Sequence, residues 1–323
     1  MKSSRLKLKI SNSSDSIPRL IKPDFHSSFL HTETSTNQIN LEQILPKSEL
    51  IFTLDFDPAD ITLYTTSSEY LLLYNSSRSV FQLYNILGQH LCDIPYDQIN
   101  HGDINQIIWS SYANAFLLAT SKQLMKFNCS TKRFGRYNEI GFGLFKDVCS
   151  AGESIVLVHN LGTSLGDVIE HYSQNQLIQR CWKSDLYLDE NYPKDTIEIF
   201  RIRMSSHLVA IDALFTDYIL VCDLLQAMKC LFRIDTKQYD VQSISPIYDT
   251  KQWLLFISDT ENEYLENRMF VIDGVDGQMR ELKCEKHHAN NICFFGRNHL
   301  ISTRYDNLNE ETLLFDCRKF YLT

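Results

Sequence analysis

The 323-residue chain has the composition of an ordinary folded protein, with 44% hydrophobic residues, 22% charged residues and a net charge of −9. It contains no apolar run near the roughly 18–20 residues that a membrane-spanning helix needs. Residues 1–23 hold six basic residues and one acidic residue, so the remainder carries −14. Because proteins bind nucleic-acid phosphates through Lys and Arg, we expect neither nucleic acid nor membrane as a partner.

The first 48 residues form a segment of distinct composition. Residues 1–37 are basic and rich in Ser, Thr and Asn, which favours a disordered tail. A mitochondrial presequence is the alternative, although such leaders favour Arg over the Lys found here. Residues 37–45 predict one short helix, capped by Asn37 and halted by Pro46.

From Glu49 onward the chain consists of short apolar or alternating strands separated by turn residues, which is typical of antiparallel sheets. First strands of six successive groups begin near residues 61, 104, 145, 198, 241 and 289. An apolar residue followed by Asp, Asn or Ser recurs near the end of the third strand, at steps of 43, 45, 50, 50 and 43 residues. The copies are Tyr84-Asn85, Phe127-Asn128, Tyr172-Ser173, Cys222-Asp223, Ile272-Asp273 and Phe315-Asp316.

This repeat length predicts an all-β fold, a β-propeller of six four-stranded blades over residues 49–323. Aromatic residues at alternate strand positions are expected to fill the spaces between blades. The spare strand Leu50–Phe56 is expected to pair with the sheet of residues 289–317 and close the ring. The terminal residues 319–323 compete for that outer position, and a partial seventh blade is the alternative.

The repeat resembles the WD-repeat and quinoprotein-like propellers. His101-Gly102, seven residues before Trp109, is similar in reversed order to the Gly-His that opens such repeats. Asp223, Asp273 and Asp316 are similar to the Asp of the closing Trp-Asp pair. The resemblance implies an interaction platform and assigns no functional residue.

Motifs for catalysis or cofactor binding are scarce in the sequence. It has no phosphate-binding P-loop, no His-Glu-x-x-His and no Gly-x-Ser-x-Gly. Cys284, His287, His288 and Cys293 form the one group of soft metal ligands, but their spacing favours a linker over zinc. We therefore predict no catalytic residue, metal or cofactor.

The charge pattern is more informative, because second-to-third loops and blade-to-blade links of a four-stranded blade fall on one rim. In blades three to six those segments are long and acidic, whereas blades one and two place Arg78 and Lys122 there. The predicted rim carboxylates are Asp185, Asp189, Glu190, Asp195, Asp259, Glu261, Glu263, Glu266, Asp306, Glu310 and Glu311. The same loops hold Tyr187, Tyr192 and Tyr264, which could serve as aromatic anchors.

The sequence thus predicts a monomeric, non-enzymatic scaffold whose acidic rim binds a protein or a basic peptide. One alternative is that these loops only keep the ring soluble. Another is a hydrolase or lyase in the central channel, for which the innermost strands offer Asn105, Asp147, Glu198 and Asn291. A third is that the basic tail is the working part.

The nine cysteines include no Cys-x-x-Cys pair, and most lie within apolar strands, as Cys149, Cys222, Cys230 and Cys293 do. There a free thiol behaves as a small hydrophobe. We expect reduced, slowly reacting thiols and a location in the cytosol or the nucleus.

Overall fold

The computed structural model describes residues 41–323 except 138–139, 141–143, 161–166, 187–197, 215–217, 237–238, 248, 260–266, 283–290, 296–297, 306–311 and 321–323. The described residues form six sheets, each of four antiparallel strands. Helix is confined in them to three four-residue segments and two short 3₁₀ turns. The predicted six-bladed, all-β propeller is therefore confirmed.

The blades follow one another along the chain, and their strands lie close to the predicted segments. Blade one contains β2 (Ile61–Thr66), β3 (Tyr70–Asn75), β4 (Val80–Asn85) and β5 (His90–Pro95). Blade two contains β6 (Ile104–Ser110), β7 (Ala115–Thr120), β8 (Leu124–Asn128) and β9 (Arg133–Arg136). Blade three contains β10 (Leu144–Ala151), β11 (Ser154–Asn160), β12 (Asp167–Ser173) and β13 (Gln176–Trp182).

The second half of the chain repeats the arrangement. Blade four contains β14 (Glu198–Ser205), β15 (Leu208–Leu214), β16 (Tyr218–Asp223) and β17 (Lys229–Asp235). Blade five contains β18 (Tyr239–Pro246), β19 (Gln252–Asp259), β20 (Asn267–Asp273) and β21 (Met279–Glu281). Blade six contains β22 (Asn291–Phe295), β23 (His299–Tyr305) and β24 (Leu313–Lys319), joined by β1 (Glu49–Phe56). The first strands of neighbouring blades contact one another and so surround the axis.

Ring closure joins the two ends of the folded region. Blade six has the order β1-β24-β23-β22, so the N-terminal strand is its outermost strand. Its register pairs Thr53 with Asp316, and the Thr53 hydroxyl donates to the Asp316 carboxylate at 2.7 Å. This confirms the closing role predicted for Leu50–Phe56, and β1 takes the outer position for which residues 319–323 competed. The described residues form no seventh sheet.

A short helical segment precedes β1. Helix α1 spans Leu41–Ile44 and continues into a 3₁₀ turn, Leu45–Lys47, which contains Pro46. Leu41 and Leu45 are buried with residues of blades five and six, including Phe256. The predicted start of this helix at Asn37 lies outside the described residues.

The core consists of apolar layers between neighbouring blades. The aromatic rings of Phe81, Phe116 and Phe127 are fully buried between blades one and two, as alternation along the strands predicts. Phe200 departs from this pattern, because half of its surface is exposed. It occupies a β-bulge in the innermost strand of blade four, and a bulge interrupts the period-2 placement of side chains.

Candidate functional site: the acidic rim

The links between blades and the second-to-third loops lie side by side, as the blade topology requires. In blade one, the Ser76 amide donates to the carbonyl of Asp60 in the preceding link at 2.8 Å. In blade two, the Ser121 amide donates to the carbonyl of Asp103 at 2.9 Å. We call this end of the ring, with the adjoining strand ends, the acidic rim.

The link between blades one and two shows how the rim is built. Helix α2 (Gln98–His101) is capped by Asp97, which accepts a hydrogen bond from the Asn100 amide at 3.1 Å. Hydrogen bonds from Asn100 lower the pKa of Asp97, so this exposed carboxylate stays charged. Gly102 ends the helix at φ 89°, where a Cβ atom would stand 2.6 Å from the Ser121 hydroxyl. The chain therefore needs glycine here.

Several exposed or half-buried carboxylates of the described residues lie on this rim. They are Asp57, Asp60, Asp97, Asp103, Asp185, Glu198, Asp235 and Asp240. Of these, sequence reasoning identified Asp185 as a rim residue. Most of the others lie in short links or at strand ends. The rule that links and second-to-third loops fall on one rim also holds for short links, and it would have identified these residues from the sequence.

The second-to-third loops of blades one and two hold Arg78 and Lys122, the two cations expected there. Arg78 forms an ion pair with Asp93 of β5 at 3.1 Å, and the Lys122 ammonium donates to the Ile99 carbonyl at 2.5 Å. The adjacent links hold Asp60 and Asp103, whose backbone carbonyls accept from the Ser76 and Ser121 amides. Charged residues of both signs therefore occur on this rim at blades one and two.

Most residues predicted for partner binding lie outside the described residues. They are Tyr187, Asp189, Glu190, Tyr192, Asp195, Glu261, Glu263, Tyr264, Glu266, Asp306, Glu310 and Glu311. Asp259 is the last residue of β19. Asp185 is exposed in helix α3 (Lys183–Leu186), where its carboxylate accepts from the Trp182 amide at 3.3 Å.

Arg268 and Arg304 lie near two of these loops, and each is held by an acidic residue of its own sheet. The guanidinium of Arg268 binds both carboxylate oxygens of Glu281 at 2.9 and 3.1 Å. Arg304 donates to Asp316 at 2.8 Å.

The repeated Asp or Asn that first revealed the blades has a structural role at the opposite rim. The side chains of Asn85, Asp223 and Asp273 each accept a hydrogen bond from the backbone N–H two residues later, at 2.9, 2.8 and 2.8 Å. Such Asx turns replace one peptide hydrogen bond of a tight turn. In each turn the apolar residue that donates this hydrogen bond is exposed: Leu87, Leu225 and Val275 are 62%, 71% and 59% exposed.

Asp316 does not belong to this series, contrary to the sequence interpretation. In blade one, the closing Asn85 pairs with Tyr70, the first residue of the second strand. In blade six the corresponding first residue, His299, pairs with Lys319, so Asp316 lies within β24. Its carboxylate binds Thr53 and Arg304 instead of capping a turn.

The innermost strands place several charged groups between blades three and four. Asp147 of β10 is 2% exposed and accepts from the Ile202 amide of β14 at 2.7 Å and from Arg203 at 3.0 Å. Lys146, the extra residue of a bulge in β10, contacts Asp167 at 2.9 Å and also Glu198. These contacts join two blades, because each charge of blade three meets a partner in blade four.

A second buried charge cluster lies within blade three. Glu170 accepts from the Tyr172 hydroxyl at 2.8 Å and from Arg180 Nε at 2.6 Å, and His159 Nε2 stands 2.9 Å away. Burial alone would raise the pKa of Glu170, but His159, Tyr172 and Arg180 lower it to about 2. Glu170 is therefore a charged structural group at neutral pH.

The residues considered for channel chemistry are engaged in such contacts. Besides Asp147 and Glu198, Asn105 donates to the Phe145 carbonyl of the next blade at 2.6 Å. The side chain of Asn291 lies outside the described residues, as do Cys284, His287 and His288. Among the residues the structure describes, no group of three or more His, Cys, Asp or Glu could hold a metal ion. Nor does that part of the chain contain a helix long and apolar enough to cross a membrane.

Together, six radial four-stranded sheets closed by an N-terminal strand define a WD-repeat-like β-propeller, which confirms the resemblance at the level of the fold. No protein-family model and no curated protein match the sequence. Among solved structures, a chain of the mitotic checkpoint complex is similar with a TM-score of 0.51 and 10% identity, covering 98% of this chain and 100% of its own. The computationally designed protein Ika8 is similar with a TM-score of 0.45 and 13% identity, covering 80% of this chain and 72% of its own. At these identities the likeness concerns the fold and identifies no function.

Proposed function

We propose that the protein is a non-enzymatic interaction scaffold, which binds a basic segment of a protein partner on its acidic rim. It works as a monomer in the cytosol or the nucleus. Its aromatic contacts come from Tyr187, Tyr192 and Tyr264 in the long loops of that rim.

The contrast between the two rims carries this proposal. The described links and loops of the acidic rim hold Asp57, Asp60, Asp97, Asp103 and Asp185, against Arg78, Lys122 and Lys183. The undescribed stretches of these links and loops hold nine of the predicted rim carboxylates and also Glu139, Asp217 and Glu285, with Lys194, Lys237, Lys283 and Lys286 as cations. Clustered charge of one sign raises the encounter rate with a partner of the opposite sign.

The opposite rim is close to electrically neutral in the described residues. Its turns carry the carboxylates Glu69, Glu153, Asp249 and Asp276 together with Lys47, Lys132 and Lys251. Over the whole sequence, the links and loops of the acidic rim therefore hold most of the excess negative charge, and much of it lies in their undescribed stretches. Membership of the similar solved chain in a protein complex agrees with a scaffold role.

The channel hydrolase or lyase has no specific support among the described residues. A catalytic carboxylate pair needs two groups whose environments separate their pKa values. The carboxylate of Asp147 instead accepts hydrogen bonds from the Val148 amide, the Ile202 amide and Arg203. Glu198 forms an ion pair with Lys146. The alternative based on the basic tail concerns residues outside the described part.

Two matched charge variants test the proposal. The rim variant changes Glu261, Glu263, Glu266 and Glu310 to Lys, and the control changes Glu69, Glu153, Asp249 and Asp276 to Lys. Both shift the net charge from −9 to −1, so they differ only in where the charge lies. The probe is a fluorescent Lys/Arg-rich peptide, followed by anisotropy at low and high salt.

We expect the rim variant to weaken peptide binding at least tenfold and the control to weaken it less than threefold. Binding to the wild-type protein should also fall steeply as salt shortens the Debye length from about 10 Å at 0.1 M to about 3 Å at 1 M. Equal losses in both variants would show that net charge alone attracts the peptide. Unchanged binding in the rim variant would show that the acidic rim does not bind the peptide and only keeps the protein soluble.

A further inference from the structure

Two cysteines lie directly opposite each other at the outer edge of blade four. Cys222 of β16 pairs in register with Cys230 of β17. Directly opposed residues of antiparallel strands have Cα atoms about 4.5–5.5 Å apart. A disulfide spans Cα separations of roughly 4.4–6.8 Å, so this pair can be bridged without separating the strands.

The two thiols differ in their access to solvent. Cys222 is completely buried in the apolar layer between blades three and four, whereas Cys230 is partly exposed and packs against the same layer. A β-bulge separates the pairs Val221–Phe232 and Cys222–Cys230, which leaves Leu231 as the extra residue. As a thiol, Cys230 donates to the Phe232 carbonyl at 3.4 Å. A small reagent from solvent therefore meets Cys230 first.

The contact between the two thiols also affects their pKa values in opposite directions. A hydrogen bond from the Cys222 thiol lowers the pKa of Cys230, while the same contact and burial raise the pKa of Cys222. Burial raises the pKa of Cys129 and Cys317 to about 12. The thiolate is the reactive form of cysteine, so of this pair Cys230 is the thiol expected to react first.

We propose that Cys230 and Cys222 form a peroxide-reactive modification site, which closes to an intramolecular disulfide. The Cys230 thiolate attacks one oxygen of hydrogen peroxide, its S–O bond forms as the O–O bond breaks, and the hydroxide released takes up a proton. The Cys222 sulfur then attacks the Cys230 sulfenic acid. An S–S bond forms as the S–O bond breaks, and the departing hydroxide leaves as water with the Cys222 proton. Two thiols and one peroxide thus give one disulfide and two waters.

The bridge would span the turn that follows the repeated Asp. Cys222 and Cys230 enclose the 3₁₀ turn Leu224–Gln226, whose Leu225 is 71% exposed on the opposite rim. Ala227 and Met228 in the same connection have left-handed φ values of 57° and 59°. A disulfide across its base would fix this connection and the outermost strand β17.

The experiment exposes the full-length, reduced protein to a small excess of hydrogen peroxide at pH 7. Free thiols are then alkylated, and tryptic peptides are analysed by mass spectrometry. Cleavage after Lys229 separates the two cysteines, so a bridge appears as residues 204–229 linked to residues 230–233. We expect this linked pair as the main oxidation product, reversed by dithiothreitol, and a rise in melting temperature of roughly 3–8 °C.

Alkylation rates and variants complete the test. Iodoacetamide should modify Cys230 at least tenfold faster than Cys129, which is also partly exposed, at pH 7. In Cys222→Ser, dimedone should trap a sulfenic acid at Cys230, whereas Cys129→Ser should behave as wild type. The proposal is overturned if wild-type protein yields no linked peptides and Cys230 reacts no faster than Cys129, a result that requires no variant to fold.

Discussion

Replacing Asp147 by alanine should destabilise the propeller, because its carboxylate joins blade three to blade four. The carboxylate accepts from the Ile202 amide at 2.7 Å, from Arg203 at 3.0 Å and from the Val148 amide at 2.7 Å. Two of these donors belong to the next blade. In Asp147→Ala both amides lose an acceptor inside the protein, and Arg203 loses its ionic partner.

The size of the effect follows from burial on both sides of the contact. The side chains of Asp147 and Arg203 are 3% and 17% exposed. Breaking a buried pair by removing one partner costs about 3–5 kcal/mol. Because Arg203 keeps some solvent and a hydrogen bond to the Ile202 carbonyl at 2.6 Å, we expect a loss near 3 kcal/mol.

Urea unfolding followed by tryptophan fluorescence measures this loss, and Asp93→Ala is the matched control. Asp93 pairs with Arg78 at 3.1 Å, but the two side chains are 34% and 57% exposed. Such an exposed pair contributes about 0–1 kcal/mol. If Asp147→Ala loses no more unfolding free energy than Asp93→Ala, the contact of Asp147 with Ile202 and Arg203 does not stabilise the packing between blades three and four. The double variant Asp147→Ala/Arg203→Met should recover part of the loss, because it removes the unpaired charge as well.

Three further outcomes follow from the same contacts. The pKa of Glu170 is lowered from 4.5 to about 2, so its contribution to stability is complete above about pH 4.5 and is lost as pH falls toward 2. The difference in unfolding free energy between wild type and Glu170→Gln should therefore shrink from pH 7 to pH 2.5, and a constant difference would contradict the assignment. Asp223→Ala should cost about 1 kcal/mol of unfolding free energy in urea, because the Leu225 amide loses its acceptor. Glu69→Ala, in another turn of the same rim, is the control, and an equal cost would contradict the special role of the repeated Asp. Deleting residues 1–56 should abolish cooperative melting and increase binding of an apolar dye, since β24 loses its outer partner; an unchanged melt would show that β1 is dispensable.

The strands and the closure of the ring could be predicted because they depend on patterns that the sequence displays directly. Alternating apolar residues, turn residues and a repeat of constant length determine where blades begin. The unpaired strand Leu50–Phe56 had a single sheet to complete once six blades were assigned. The observed pairing of Thr53 with Asp316 agrees with that reasoning.

The errors have a common physical cause, since local composition does not reveal register. Phe315-Asp316 has the same composition as Ile272-Asp273, yet β24 continues for three residues after Asp316. Phe200 was assigned to the core by alternation, but a one-residue bulge turns it to solvent. The contact between Cys222 and Cys230 likewise depends on a bulge, and the seven residues of sequence between them give no sign of it.

Closure of the ring by its first strand also has a consequence for synthesis. Thr53 and its partner Asp316 are separated by 263 residues, one of the longest sequence separations the chain allows. At about 5–20 residues per second, roughly 13–53 s pass between translation of the two. During that interval β1 has apolar side chains and no neighbour, and contacts of such high sequence separation form slowly. The final and slowest step of folding should therefore be the docking of the oldest strand onto the newest one.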